Sequence, residues 1–314
     1  VQRKKFYTLV LQKCLTRSEK DKMNLDKNTI LEVNNLNVNY KNSKFKVIDV
    51  SFSIPTGCIV GLIGENGAGK TTIINSILGL QKIESGEIKI FGRNFDINDT
   101  NLKAKIGVSF SETYLNKNLK IFQVEKIYKG LYKKWDSDYF NFILEKFGIS
   151  KTKKISECSS GMQKILSIAL SMSYNPQLLI FDEPTTTLDP VRRKDILGIF
   201  QEFVLDENKT IIFSSHITTD IEQIADIIIY IRQGKVQFVE DSTKLLNDNV
   251  LVRCLESYFK NLNLDDVIAY EKTAQGYEVI MPRDRILNLD NIVVDSLDLE
   301  KIMSIYSKGV VMEK

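Results

Sequence analysis

The most chemically specific stretch of this sequence is GENGAGKTT, at residues 64–72. It fits the pattern G-x-x-x-x-G-K-[ST], in which backbone N–H groups surround a polyphosphate and the lysine offers its cation to the terminal phosphates. Glycines let the backbone turn tightly and approach the phosphates, and the hydroxyl after the lysine suits Mg²⁺. We therefore expect a phosphate-binding loop, formed by Gly64, Glu65, Asn66, Gly67, Ala68, Gly69, Lys70, Thr71 and Thr72.

Two adjacent carboxylates end a short apolar run further along the chain, in LLIFDEP. The apolar residues predict a buried parallel strand, with Asp182 and Glu183 at its carboxyl end. Because paired carboxylates at the edge of a core are costly without a partner, a purely structural role is hard to justify. We expect Mg²⁺ to be the partner of Asp182, and Glu183 to polarise a water molecule.

His216 is the only histidine of the chain and follows the apolar run TIIFSS. A lone histidine is usually an ordinary polar or core residue. This one ends a strand at the sheet edge that would also carry the phosphate-binding loop and Asp182, which makes it a candidate for the same site. With no second histidine, a multi-histidine zinc site is excluded, and no motif supports a Ser-His-Asp triad.

The neighbouring sequence predicts the elements that position these groups. CIVGLI precedes the phosphate-binding loop as a strand, and IINSILGL follows it with helical spacing. A helix beginning there contributes unpaired N–H groups and a partial positive charge. LEVNNLNVNY, KVIDVSFSI and GEIKIFG alternate polar and apolar residues, which predicts an antiparallel sheet. In CSSGMQKILSIALSM, a serine at position 159 or 160 suits the N-cap of an amphipathic helix.

Composition limits the classes of partner. The total charge is +3, but residues 1–22 contain seven Lys or Arg and two acids, so the remaining chain carries −2. Residues 101–175 look helical and rich in Lys and Tyr, a mixture that amphipathic helices with extended lysines explain more simply than an RNA surface. We expect no nucleic-acid partner. No apolar run reaches the ~18 residues needed to span a bilayer, and the four scattered cysteines are expected to be reduced and structural.

The basic leader allows two interpretations. It could be a membrane-surface helix, although its apolar residues form no clear stripe. Alternatively, Met23 begins a stretch that looks like a natural start, so residues 1–22 would be an extension from another start site or a non-native segment. We expect residues 1–28 to be a basic N-terminal extension, either non-native or disordered.

Five motifs occur in the order phosphate-binding loop, SSGM, FDEP, LDP and SSH, and together they resemble those of the ATP-binding cassette (ABC) ATPases. The similarity runs from about Ile30 to Val239. The resemblance implies an α/β fold of the P-loop NTPase class for residues 29–240, with a RecA-like parallel sheet, an antiparallel β subdomain and an α-helical subdomain at about 101–175. Beyond it, VIAYEKTAQGYEVIMP predicts a hairpin, NIVVDS a strand and LDLEKIMSIYSKG a helix. Residues 241–314 therefore predict a small C-terminal α+β accessory domain.

The resemblance also implies site roles, and ATP and Mg²⁺ as ligands. Lys70 corresponds to the phosphate-contacting lysine, Thr71 and Asp182 to Mg²⁺ ligands, and Glu183 to the catalytic base. His216 corresponds to the switch histidine that contacts the γ-phosphate. Tyr40 matches the aromatic that stacks on adenine, although a strand aromatic in a core would look the same. The signature loop, which caps the ATP of a facing subunit, and the D-loop aspartate correspond to Ser159, Ser160, Gly161, Met162 and Asp189.

Three positions depart from the family pattern. The signature reads CSSGMQ where many cassettes have LSGGQ, and Thr187 stands where glycine is usual. Ser111 or Glu112 stands where the Q-loop glutamine belongs, which makes Ser111 the candidate for that position at the metal site. A missing glutamine could weaken placement of Mg²⁺ or water, or alter coupling to a membrane partner. Because Lys70 and Glu183 are both present, the site is expected to be active.

The signature, the missing glutamine and the end of the chain most resemble ATPase subunits of bacterial ABC-2-type exporters of the bacitracin-resistance and YtrB-like kind. This implies an ATPase that dimerises with a second ABC ATPase subunit, as a homo- or heterodimer, around two ATP–Mg²⁺. It would power a separate integral membrane permease, exporting a peptide, antimicrobial or lipid-like substrate from a cytoplasmic, peripheral position on the inner face of the membrane. Two alternatives are a soluble ABC ATPase acting on ribosomes or DNA, whose relatives carry two cassettes, and a non-catalytic nucleotide sensor.

Overall fold

The computed structural model describes residues 29–40, 45–286 and 292–312. The N-terminal extension expected at residues 1–28, with Cys14 and Met23, lies outside the described residues. The strands are β1 (Thr29–Asn39), β2 (Lys46–Pro55), β3 (Ile59–Ile63), β4 (Ser85–Ile90), β5 (Arg93–Asn94), β6 (Ile106–Ser109), β7 (Leu178–Asp182), β8 (Thr210–Ser215), β9 (Ile227–Arg232), β10 (Lys235–Asp241), β11 (Asn249–Cys254), β12 (Ala269–Thr273), β13 (Gly276–Pro282), β14 (Val293–Ser296) and β15 (Val310–Val311).

Helices alternate with these strands along most of the chain. They are α1 (Lys70–Ile77), α2 (Thr100–Lys103), α3 (Ile121–Leu131), α4 (Ser137–Lys146), α5 (Ser160–Met172), α6 (Pro190–Phe203), α7 (Thr218–Ile224), α8 (Ser242–Asn247), α9 (Glu256–Phe259) and α10 (Leu299–Lys308). Among the described residues, no helix is long and apolar enough to cross a membrane. The mixture of a parallel sheet with helices confirms the predicted α/β class.

The first sheet is antiparallel and has the order β2-β1-β4-β5. Its apolar side chains alternate with polar ones, and residues such as Leu31, Val33 and Ile54 are fully buried. This period-two pattern confirms the antiparallel strands predicted from LEVNNLNVNY, KVIDVSFSI and GEIKIFG. The buried face packs with β3 and α1 in one apolar cluster.

The second sheet has the order β10-β9-β3-β8-β7-β6 and is parallel except for β10. Every residue of β3, β7 and β8 is buried, as expected for central parallel strands covered on both faces. Because parallel strands end at one edge, the loops after β3, β7 and β8 meet there. The sheet thus gathers the phosphate-binding loop, Asp182 and His216.

The region expected to be helical at about residues 101–175 is only partly so. β6 lies inside it and pairs with β7 as an edge strand of the parallel sheet. Its four residues are too few to show a clear period, and they are followed by the genuine helices α3, α4 and α5. The helical part therefore begins at Ile121 rather than immediately after residue 101, apart from the single turn of α2.

The third sheet is antiparallel, with the order β14-β11-β13-β12-β15, and it includes the predicted hairpin as β12 and β13. The strand predicted from NIVVDS is β14, and the closing helix is α10, which ends at Lys308 with Gly309 as its C-cap. The buried face of α10 is formed by Leu299, Ile302, Ile305 and Tyr306. These side chains belong to the same apolar cluster as the parallel sheet and α5, so α10 packs directly on the α/β core. Cys58, Cys158 and Cys254 are buried and form no disulfide bond with one another, as predicted.

Candidate active site

The phosphate-binding loop joins β3 to α1 at the carboxyl edge of the parallel sheet. Gly64 has a φ of 157°, and an added Cβ would lie 2.3 Å from the Ile231 carbonyl oxygen, so a larger residue is excluded there. Gly67 has a φ of 79°, which favours glycine, and apart from the glycine itself and its chain neighbours no heavy atom of the described residues lies within 4 Å of where its Cβ would be. The loop is therefore tightly packed behind Gly64 and open at Gly67, as a cradle for a ligand requires.

Lys70 begins α1 and is buried at the base of the loop. Its Nζ donates to the carbonyl oxygens of Gly64 at 2.7 Å and Glu65 at 3.3 Å, and lies 3.9 Å from a carboxylate oxygen of Glu183. Burial lowers the pKa of Lys70, while the Glu183 and Asp182 carboxylates act in the opposite direction. The cation is held by loop carbonyls at the position from which it could contact a terminal phosphate.

Asp182, the last residue of β7, is 1% exposed and accepts two hydroxyl hydrogen bonds. Thr71 Oγ1 donates to its Oδ2 at 3.0 Å, and Ser214 Oγ donates to its Oδ1 at 2.6 Å. Asp182 and Thr71 thus form an oxygen donor set beside the phosphate cradle. Mg²⁺ prefers oxygen ligands and commonly takes one or two protein groups plus phosphate oxygens, so this pair fits the predicted ion. No cluster of three or more His, Cys, Asp or Glu with metal-binding geometry occurs in the described part of the chain.

Glu183 follows Asp182 and adopts a φ of 49°, a left-handed conformation that non-glycine residues rarely take. Several contacts hold it there. Its N–H donates to Ser214 Oγ at 3.0 Å, its Oε2 accepts from Thr186 Oγ1 at 2.7 Å, and the same Oε2 lies 2.8 Å from His216 Nδ1. Such strained conformations concentrate at functional sites. The structure therefore brings the predicted base and the predicted switch histidine into direct contact.

An open cavity of about 540 Å³ lies above the loop and is lined by residues 65–72, Tyr40, Phe45, Ser111, Asp182 and Glu183. The Tyr40 hydroxyl is 3.0 Å from Thr72 Oγ1, and its ring is tilted by 41° against that of Phe45. Tyr40 thus lines the nucleotide-sized cavity, while its stacking on adenine stays a prediction. Phe45 was missed in the sequence. It precedes β2 and belongs to no motif, so its place in the cavity is visible only from its structural contacts with Tyr40 and Gly69.

The signature loop, residues 159–162, does not line this cavity. Ser159 is the N-cap of α5, and its Oγ accepts from the Met162 N–H at 3.3 Å, which confirms one of the two N-cap candidates. An added Cβ on Gly161 would lie 3.0 Å from the Thr187 carbonyl oxygen, so this loop packs against the segment where Thr187 replaces the usual glycine. The role of Ser159, Ser160, Gly161 and Met162 at another subunit's ATP stays a prediction.

Asp189 has a defined structural task. It is the N-cap of α6, and its Oδ1 accepts from the N–H groups of Val191 at 3.1 Å and Arg192 at 3.0 Å. These hydrogen bonds and the Arg192 guanidinium lower the pKa of Asp189, although the side chain is exposed. A D-loop role at a subunit interface is compatible with this capping and remains a prediction.

Lys164 is a second buried cation that sequence analysis missed. It lies on α5, and its Nζ donates to the carbonyl oxygens of Phe110 at 2.5 Å and Ser111 at 2.8 Å. Burial lowers its pKa, opposed by the Asp182 and Glu183 carboxylates. Ser111 lines the cavity, and its backbone carbonyl is hydrogen-bonded to Lys164 of α5. The role of Ser111 as a metal ligand remains a prediction. The only feature of the sequence that could have identified Lys164 is its position as a single lysine on the apolar side of an amphipathic helix.

A glycine-rich cradle between a parallel strand and a helix, with a buried aspartate ending a parallel strand of the same sheet, defines the site of a P-loop nucleoside triphosphatase. The model of the family described as "ABC transporter" matches residues 47–186. The chain is 38% identical over 216 residues to the bacitracin transport ATP-binding protein BcrA of Bacillus licheniformis, covering 66% of this chain and 68% of BcrA. It is 35% identical over 209 residues to the lantibiotic transport ATP-binding protein SrtF of Streptococcus pyogenes, covering 66% and 89%.

Solved structures agree with these sequence relatives. The ATP-binding subunit of an ABC transporter superposes with a TM-score of 0.63 at 25% identity, covering 69% of this chain and 92% of that one. A dimeric ATP-binding cassette in a post-hydrolysis state, bound to ADP and Pi, gives a TM-score of 0.60 at 24% identity, covering 68% and 99%. The chain belongs to the ABC transporter family, and within that family it is an ATP-binding subunit that hydrolyses ATP.

Proposed function

We propose that this ATPase powers export of a peptide, antimicrobial or lipid-like substrate through a separate integral membrane permease. The observation that carries the proposal is the similarity to two relatives whose names specify bacitracin transport and lantibiotic transport. A third relative, the ABC transporter ATP-binding protein YtrB of Bacillus subtilis, is 29% identical and covers 75% of this chain and 81% of its own. The names of these relatives state transport without a direction, so the export direction rests on the resemblance of the sequence motifs to those of ABC-2-type exporters.

The nucleotide is proposed to lie between two subunits. The phosphate-binding loop and the Lys70 cation line the cavity, but the signature loop of the same chain does not. A second cassette, either a copy of this chain or a paralogue, would place its Ser159 and Gly161 equivalents against the γ-phosphate. The similarity of this fold to a cassette solved as a dimer supports such an arrangement.

Each group of residues around the cavity has its own proposed role in ATP hydrolysis. The loop N–H groups and Lys70 would offset charge on the transferring phosphoryl group. Thr71 and Asp182 would hold Mg²⁺, which supplies additional neutralisation of the phosphate oxygens. Glu183 would orient the attacking water, and His216, 2.8 Å from Glu183, would sense the γ-phosphate.

A permease-docking surface is proposed on the helical region. Large apolar side chains are exposed on and before α3 and on α4, including Tyr114 at 78% and Leu131 at 70% exposure; the others are Phe122, Ile127 and Phe142. Large apolar side chains that stay exposed on a folded chain are often covered by a partner, and we propose that a permease covers these five. We define these five residues as the helical apolar surface. Docking there would hold the ATPase at the inner face of the cell membrane.

Affinity purification of the tagged chain from native membranes tests the proposal. We expect a multi-span membrane protein to co-purify, and its recovery to fall several-fold in Phe122→Ser combined with Leu131→Ser. Leu80→Ser is the matched control, because Leu80 is 57% exposed and lies outside the helical apolar surface. Recovery with ribosomes or DNA instead would favour the soluble-factor alternative. The nucleotide-sensor alternative has no support, since the family and the intact Lys70, Asp182 and Glu183 indicate hydrolysis.

A further inference from the structure

The C-terminal helix α10 is packed beside the phosphate-binding loop. Tyr306 of α10 lies edge-on against Tyr230 and Phe238, with ring centroids 5.6 Å and 5.5 Å apart. Tyr230 is in β9, the strand that pairs directly with β3 before the loop. Aromatic packing of this kind, within a buried cluster, fixes the position of α10 relative to the nucleotide site.

The end of α10 is held by a turn that also holds the loop. The Arg232 guanidinium donates to the carbonyl oxygens of Tyr306 and Ser307, the latter at 2.6 Å, and so satisfies carbonyls that the helix leaves unpaired. Two residues later, the Gly234 N–H donates to the Ala68 carbonyl oxygen at 2.8 Å. One short turn therefore binds both the helix end and the loop.

A direct hydrogen bond completes the connection. Ser307 Oγ donates to Glu65 Oε1 at 2.7 Å, across 242 residues of sequence. Glu65 is the second residue of the phosphate-binding loop, and its own carbonyl oxygen accepts from Lys70 Nζ. Ser307 thus contacts the residue whose backbone holds the phosphate-binding lysine.

The start of α10 contacts a second element of the α/β core. The Leu299 N–H donates to Glu222 Oε1 at 2.6 Å. Glu222 lies on α7, the helix that follows His216. The two ends of α10 therefore contact the phosphate-binding loop and α7, the helix that follows His216.

We propose that α10 is a positioning element for ATP binding, and that Ser307, acting through Glu65, holds the phosphate-binding loop in the conformation that receives the phosphates. As a contribution to folding, a single hydrogen bond to an exposed glutamate would be small. The hydrogen bond would instead restrict the conformations of the phosphate-binding loop before ATP binds, which lowers the entropy cost of aligning its backbone donors with the phosphates. The inference concerns ATP binding and does not depend on which substrate is exported.

The test uses the purified full chain and a non-hydrolysable ATP analogue with Mg²⁺, together with KM and kcat for ATP. We expect Ser307→Ala to raise both the dissociation constant and KM by about 3- to 10-fold, the loss of roughly one hydrogen bond, with kcat within about 2-fold of wild type. Ser307→Thr keeps the hydroxyl and should retain wild-type binding. Ser304→Ala is the matched control, because Ser304 is on the same helix and has no hydrogen bond to the loop among the described residues.

A double-mutant cycle separates positioning from a general structural effect. If Ser307 acts through Glu65, then Ser307→Ala should add no further loss in the Glu65→Ala background. Wild-type binding by Ser307→Ala would overturn the inference. So would additive losses in the double variant, or an equal loss in Ser304→Ala, because each would separate the effect from the Glu65 contact.

Discussion

Thr71 donates its hydroxyl hydrogen to Oδ2 of Asp182 at 3.0 Å, linking the phosphate-binding loop to β7 across 111 residues of sequence. Asp182 is buried and also accepts from Ser214, so its carboxylate is fixed before any nucleotide binds. This relationship places two oxygen ligands of the kind Mg²⁺ requires beside the cradle. It also makes Asp182 the most direct point at which to test the metal.

Asp182→Asn should shift the Mg²⁺ requirement of ATP turnover. The amide keeps the shape but loses the charge that attracts the cation, so half-maximal turnover should require at least about 10-fold more Mg²⁺. A Mg²⁺ titration of steady-state turnover measures this. Asp206→Asn is the control, because Asp206 is exposed and its partners among the described residues are the near neighbours Asn208 and Lys209. An unchanged Mg²⁺ titration would remove Asp182 from the metal site.

Lys70→Ala should abolish most ATP binding. The side chain supplies a buried cation to phosphate oxygens, and such charged hydrogen bonds are the strong ones, so affinity should fall at least about 30-fold. Fluorescence titration with labelled ATP measures the affinity, with Lys82→Ala as an exposed control. Retained affinity in Lys70→Ala would contradict the cradle geometry.

Lys164→Met should loosen the attachment of Ser111 to α5. Methionine preserves the buried apolar stem but leaves the carbonyls of Phe110 and Ser111 without their donor, which should cost about 1–3 kcal/mol of unfolding free energy. Urea unfolding measures the stability, and turnover measured in parallel shows the effect on the site. Lys129→Met, at an exposed position of α3, should change neither quantity. Equal stabilities of the two variants would show that the Lys164 contacts are inconsequential.

Tyr230→Phe should leave stability at pH 7 equal or higher. The Tyr230 hydroxyl is buried and has no hydrogen-bond partner within the described residues, so its removal should relieve a burial cost of about 1 kcal/mol or more. A loss of more than about 1 kcal/mol would point instead to a partner of that hydroxyl. Tyr114→Phe, at a position 78% exposed, is the control and should be neutral.

The same variant predicts a change at alkaline pH. Burial, with the Glu65 carboxylate acting in the same direction, raises the pKa of Tyr230 from 10.0 to about 12. Because the folded-state pKa lies above the unfolded value, the protonated tyrosine favours folding below pH 10, and this contribution is lost as the pH rises towards about 12. Urea unfolding across pH 9–12 should therefore show a smaller alkaline loss for Tyr230→Phe than for wild type. Parallel curves would contradict the raised pKa.

Sequence patterns predicted the elements that have local signals. The glycine pattern at residues 64–72, the apolar run ending at Asp182 and the cap at Ser159 each carry their information within a few residues. β6 was assigned to a helical region because four residues are too few to distinguish a strand period from a helical one. The contacts of Lys164 and Ser307 could not be predicted, since each joins distant segments whose meeting depends on the whole sheet order.

The contact between Glu183 and His216 leads to the most direct test of ATP hydrolysis by this site. Glu183→Gln keeps the shape of the side chain but removes the base, so turnover should fall at least about 100-fold while ATP affinity is retained and an ATP-bound dimer accumulates. Steady-state turnover reports the loss of hydrolysis, and light scattering of the same preparation in the presence of ATP–Mg²⁺ reports the dimer. We expect a trapped, inactive dimer; turnover equal to that of the wild type would contradict the role of Glu183 as the base.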